Sequence, residues 1–179
     1  SFVIVDRAGG PRSVPLPLNS YTQPRTSPAG DRLLYWIEQS RCYVAVADLT
    51  RGSVTRLTTD GDNHFPAWLP GAEQVSYISQ KNGGGGYHLF RRSASAGAPE
   101  DELDPGLPAL GAAAPMSWAP DGTLVYSDGV DMWTIAPSGD RRPRPFAASR
   151  FVEATPSFSP DGRWVAYASD ESGQFEIYV

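Results

Sequence analysis

Two histidines, one cysteine and a run of glycines carry the most readily named chemistry in this chain of 179 residues. His64 and His88 belong to no His-x-x-x-His or His-Glu-x-x-His pair, so a zinc hydrolase has no ligand framework here. Cys42 is the only cysteine, which excludes an intrachain disulfide and a multi-cysteine zinc site and leaves the compartment open. Serines are abundant, yet no Gly-x-Ser-x-Gly elbow presents one as a nucleophile. Gly83 to Gly86 invite comparison with a phosphate loop, but no Lys-Ser/Thr pair or helix follows, and the spacing predicts a hairpin loop between strands at 75–79 and 87–90. Asp60-Gly61-Asp62-Asn63-His64 is the densest polar cluster, and it lacks the further oxygen ligands and closing Glu of a calcium loop. These residues predict no catalytic group, no metal and no cofactor.

Charge and composition narrow the class. Lys and Arg number 15 against 20 Asp and Glu, a net charge of −5, so the chain has no basic footprint for a phosphate backbone and nucleic acid is not expected as a partner. No apolar run approaches the roughly 18 residues of a membrane span, so no membrane contact by this segment is expected. Eighteen Gly and 17 Pro exclude a helical bundle, while 40% hydrophobic residues suffice for a packed core.

Four segments of the chain repeat. They are Pro24-Arg-Thr-Ser-Pro28, Pro66-Ala-Trp68-Leu-Pro70, Pro115-Met-Ser-Trp118-Ala-Pro120 and Pro156-Ser-Phe158-Ser-Pro160. The last proline recurs at periods of 42, 50 and 40, and Tyr35, Tyr77, Tyr126 and Tyr167 follow it by six or seven residues. Pro-Asp-Gly at 120–122 and 160–162 is a tight-turn signal: proline presets φ, the Asp side chain bonds nearby N–H groups, and Gly takes the left-handed position. The first two copies lose the Asp-Gly pair, so looser turns are expected there. β-rich runs flank each turn, and a second hairpin follows, at 43–57 and 132–146 for example.

Four short antiparallel strands per unit of about 40 residues make the blade of an all-β propeller. The chain divides into the end of one blade (2–18), blades at 19–58, 59–110 and 111–146, and the start of a last blade (147–179), about four blades in a single segment. A loop insertion at 98–114 explains the long period, and Glu100-Asp101-Glu102-Leu103-Asp104 within it reads as a solvated loop. The recurring tryptophans and tyrosines read as inter-blade packing rather than a carbohydrate platform. Both ends fall inside β-runs, which predicts a fragment of a longer protein with exposed blade edges.

The phrase Phe158-Ser-Pro-Asp-Gly-Arg-Trp-Val-Ala-Tyr167, with Asp48-Leu-Thr-Arg-Gly and Thr55-Arg-Leu-Thr58, resembles the TolB-type propeller repeat. The order of phrases, including Phe2-Val-Ile-Val-Asp-Arg and Gly139-Asp-Arg-Arg-Pro-Arg-Pro-Phe146, is also similar to the propeller attached to bacterial eukaryotic-like serine/threonine protein kinases. The resemblance implies a non-catalytic module for protein interaction or ligand sensing, in the periplasm or another extracytoplasmic space. An alternative it also implies is the propeller gate of a prolyl-oligopeptidase-like serine peptidase, with its catalytic domain elsewhere. Propellers place the strand at each blade's proline motif innermost, so Gln23, His64 and Glu153 are the expected ligand residues at one mouth of the channel. A protein partner, or a second copy of the chain paired through the blade edges, is the expected assembly.

Overall fold

The computed structural model describes residues 2–5, 8–14, 16, 20–81, 86–103 and 115–179. Among them the chain forms strands and no α-helix, and so no helix long and apolar enough to cross a membrane. β1 (Phe2–Val5) pairs with β2 (Pro11–Val14). Three four-stranded meanders follow: β3 (Tyr21–Thr26), β4 (Arg32–Ile37), β5 (Tyr43–Asp48) and β6 (Val54–Arg56); β7 (Asn63–Trp68), β8 (Gln74–Ser79), β9 (His88–Ser93) and β10 (Glu100–Glu102); β11 (Met116–Trp118), β12 (Leu124–Ser127), β13 (Met132–Ile135) and β14 (Arg144–Ala147). β15 (Glu153–Phe158), β16 (Val165–Ser169) and β17 (Glu176–Tyr178) form a last sheet of three. All pairings are antiparallel between sequence neighbours, the arrangement of propeller blades.

A blade that stands between two others has two apolar faces. In β4, Leu33, Tyr35 and Ile37 pack towards the first sheet with Val14, Phe2 and Ile4, while Leu34 and Trp36 pack on Val75, Tyr77 and Phe90 of the next blade. From β8, Ile78 points onward, to Met116, Leu124 and Tyr126. Central strands therefore read as nearly continuous apolar runs instead of alternating ones.

All four proline turns close with the same bond. Gly30, Ala72, Gly122 and Gly162 donate N–H to the carbonyls of Ser27, Leu69, Ala119 and Ser159 at 2.8, 3.0, 2.9 and 2.9 Å. The first two turns are thus no looser than the others, contrary to expectation. Gly71 at φ +84° and Ala72 at φ +56° supply two left-handed residues in place of Asp-Gly, and in the first copy Ser27 accepts from the Arg32 amide at 3.0 Å, as Ser159 does from the Trp164 amide.

Two further expectations change. Glu100–Glu102 is the outer strand of the second blade, not a solvated loop, because Glu100 finds the Lys81 ammonium and the Tyr77 hydroxyl. Trp164 does not pack between blades: it is 58% exposed on the outer face of the last sheet. Most of the expected glycine loop, and residues 104–114 of the insertion, lie outside the described residues.

Candidate functional site

The first strand of each meander stands next to the first strand of its neighbour, β3 by β7, β7 by β11 and β11 by β15, so these strands line a central cleft. Residues two before the turn prolines, Thr26, Trp68, Trp118 and Phe158, wall a cavity of about 710 Å³ with Pro28, Pro70, Pro120 and Pro160. A smaller cavity of about 160 Å³ shares Thr26, Trp68 and Trp118 and is closed by Arg25, Met116 and Pro156. The aromatics both line the cleft and join the blades. Trp68 Nε1 donates to the Arg25 carbonyl at 3.0 Å beneath the Arg32 guanidinium, and Trp118 Nε1 donates to Ser76 Oγ at 2.8 Å. At the third joint the Phe158 amide donates to Ser117 Oγ at 3.0 Å. Arg32 reaches across to the Ala72 carbonyl at 2.8 Å.

Gln23, His64 and Glu153 sit toward the opposite ends of β3, β7 and β15, and no hydrogen bond or ion pair among the described residues joins one to another. Gln23 is half-buried at φ +48°. Phe65 and Thr155, at the same distance from their turn prolines, have φ +49° and +53°, and each of the three opens a register shift and precedes a proline. Pro115 holds the equivalent place before β11, where a left-handed φ is closed to proline. Glu153 is only 3% exposed: its carboxylate accepts the Ser149 hydroxyl, and its carbonyl accepts from Ser127 Oγ at 3.1 Å.

His64 belongs to a cluster that the sequence does not announce. Asp62 Oδ2 lies 2.9 Å from His64 Nε2 and accepts the Tyr87 hydroxyl at 3.0 Å, while Asp62 Oδ1 accepts the Cys42 amide at 2.8 Å. Burial pushes the Asp62 carboxyl up, but the His64, Cys42 and Tyr87 hydrogen bonds outweigh it and hold the group down at about 2. Burial, followed by the bond to Asp62, pushes the Tyr87 hydroxyl up to about 12, and burial raises the Cys42 thiol. Trp36 stands edge-on to the imidazole with centroids 4.6 Å apart. Cys42 precedes β5 of one blade, whereas Asp62 and His64 flank Asn63 at the start of β7 in the next. The Asp-x-His spacing was the available signal, since alternate residues of an extended chain share a face. The 20-residue step back to Cys42 is set only by blade packing.

No family model matches the chain. A TolB homolog from Chlorobium luteolum is 26% identical over 133 residues, 72% of this chain and 29% of its own length. TolB from Acinetobacter baumannii superposes over 98% of this chain and 44% of its own with a TM-score of 0.75 at 19% identity. The corresponding figures for a putative TolB from Agrobacterium tumefaciens are 98%, 63%, 0.77 and 19%. A Mycobacterium tuberculosis puromycin-hydrolyzing peptidase matches 92% of the chain over 28% of its own, at 19% identity and a TM-score of 0.66. The chain thus spans less than two thirds of each of these proteins. Its meanders, its proline turns and these likenesses together identify the fold as a TolB-type β-propeller.

Proposed function

We propose that the chain is a non-catalytic interaction module that takes apolar side chains of a partner protein into the cleft at its proline turns. The observation that carries this reading is the cavity of about 710 Å³ walled by equivalent residues of four blades, three of them aromatic. Concave, mostly apolar walls with a few polar groups are what a ligand-anchoring site needs. Random-peptide display on the purified chain tests it. Selected peptides are expected to lose binding when exposed residues of the mouth are changed to a bulky cation, Thr26→Arg or Pro70→Arg, and to keep it in Val5→Lys on the first sheet. Peptides indifferent to both mouth substitutions overturn the reading.

A second reading, the propeller of a serine peptidase, is favoured by the likeness to the Mycobacterium peptidase, of whose length this chain covers 28%. A Gly-x-Ser-x-Gly elbow in the same polypeptide, with peptidase activity lost on changing its serine, selects that reading over the first.

A further inference from the structure

We propose that Cys42, Asp62 and His64 form a binding site for a zinc-class divalent ion that clamps the first two complete blades together. Cys42 Sγ, an Asp62 carboxylate oxygen and a His64 ring nitrogen lie within 4.8 Å of one another. Tetrahedral zinc, with bonds of about 2.0 to 2.3 Å, draws its ligand atoms to about 3.3 to 3.8 Å apart, a shift of roughly an ångström that side-chain rotation supplies. Thiolate, imidazole and carboxylate are the borderline-soft donors of zinc and cobalt; calcium and magnesium take oxygen alone.

The backbone around the three ligands is already fixed. The Asn63 amide and Asn63 Nδ2 both donate to the Cys42 carbonyl, at 3.0 and 3.1 Å, and Nδ2 also donates to the Asp60 carbonyl at 2.8 Å. Asp62 Oδ1 stays on the Cys42 amide while Oδ2 turns to the ion, so one carboxylate both binds and orients. Trp36 seats the imidazole. Three buried polar atoms without a hydrogen-bond partner among the described residues belong to this neighbourhood: Asn63 Oδ1 in a residue 1% exposed, Ser79 Oγ opposite it across the β7/β8 pair, and Trp36 Nε1. Asp62 lines an open cleft of about 380 Å³ with Arg41, Asp60 and Lys81, which gives an ion its way in.

Binding breaks the Asp62–His64 hydrogen bond, the Nε2 proton passing by way of solvent to Nδ1 so that the imidazole stays neutral, and the ion forms bonds to Oδ2, to the freed Nε2 and to a thiolate. The thiol proton leaves to solvent, and the two negative ligands balance the dication. The fourth position faces the Tyr87 hydroxyl, 3.4 Å from His64 Nε2, and is filled by water or that oxygen.

Cobalt chloride and zinc chloride, added separately to the chelator-stripped chain, are the probes. One equivalent of cobalt is expected to give the near-ultraviolet thiolate-to-metal band and tetrahedral visible bands. Zinc is expected to displace it, protect Cys42 from a thiol reagent and raise Tm. Cys42→Ser is expected to abolish the thiolate band, His64→Gln to weaken zinc at least about tenfold, and Tyr87→Phe to keep the one-to-one stoichiometry. Circular dichroism verifies the fold of each variant, and if Cys42→Ser does not fold, the wild-type band and thiol protection decide alone. A folded wild-type chain that gives no thiolate band, or zinc affinity unchanged in folded Cys42→Ser and His64→Gln, overturns the proposal.

Discussion

Tyr77 and Tyr167 each follow a turn proline by seven residues on the second strand of a sheet, and their surroundings differ. Tyr77 is wholly enclosed between its own blade and β4 and β5, and its hydroxyl meets Glu100. Tyr167 stacks on Tyr178 within a three-stranded sheet whose outer face leaves Trp164, Ile177 and Val179 at 58%, 73% and 76% exposure. The repeat writes strand and turn into every copy. A neighbouring blade, and not the repeat itself, makes the tyrosine a core residue. Stability in such an array is a sum of weak units and strong nearest-neighbour joints.

The sharpest way to break this comparison is truncation of the two tyrosines. Tyr77→Ala is expected to cost about 3 to 5 kcal/mol through cavity formation, against about 1 kcal/mol for Tyr167→Ala, read from urea midpoints with unchanged slopes. Equal losses would mean that burial between blades contributes nothing beyond the repeat.

Two glycines sharpen it at the level of turns. Gly61 has φ +72°, and a Cβ there would stand 2.7 Å from Ser79 Oγ and 2.8 Å from Lys81 Cβ; Gly30, at φ +73°, meets nothing within 4 Å. Gly30→Ala is expected to cost about 1 kcal/mol of left-handed strain alone, and Gly61→Ala about 2 to 3 kcal/mol because the end of β8 must also shift. Matching midpoints for the two variants would show that the end of β8 yields freely.

The smallest effect is a pH dependence. Burial raises the Glu100 carboxyl, yet the Lys81 and Tyr77 hydrogen bonds more than offset it and the group ends below the ordinary glutamate range. Its folded pKa lies below the unfolded one, so its contribution is complete above the unfolded value near about 4.3 and fades as pH falls through the folded value. Glu100→Gln is expected to be less stable at about pH 7 and to lose less on going to about pH 3. Parallel acid limbs for the two proteins would mean that the Glu100 contacts with Lys81 and Tyr77 contribute nothing to stability.

Much of the architecture was legible because proline turns and β-branched runs are local signals, and four copies reinforce one another. What escaped depends on contacts between residues far apart in the chain, within a blade or between blades. Glu100–Glu102 looked like a solvated acidic loop because Lys81, its neutralising partner, lies about twenty residues earlier and meets it only through the β8–β9–β10 meander. Trp164 looked like its packed counterparts because composition does not show which face has a neighbour. For the site, the proline motif points to a rim position for His64 just ahead of an inner strand, and His64 is the second residue of β7; its partnership with Cys42 depends on the joint itself. Glu153 was singled out for the channel mouth, and its carboxylate instead lies buried against Ser149.

The left-handed residues Gln23, Phe65 and Thr155, each followed by a proline, bear on what can enter the cleft. A strand lining a channel offers its unpaired backbone groups to any extended polypeptide threaded alongside, the route by which strands add to sheets and by which chains aggregate. Here the bulge throws those groups out of phase, and the proline removes a donor at the same spot in β3, β7 and β15. β11 is only three residues long. The lining therefore cannot serve as a template for an invading strand, and a guest in the cleft is discriminated by the shape and polarity of its side chains, not captured by its main chain.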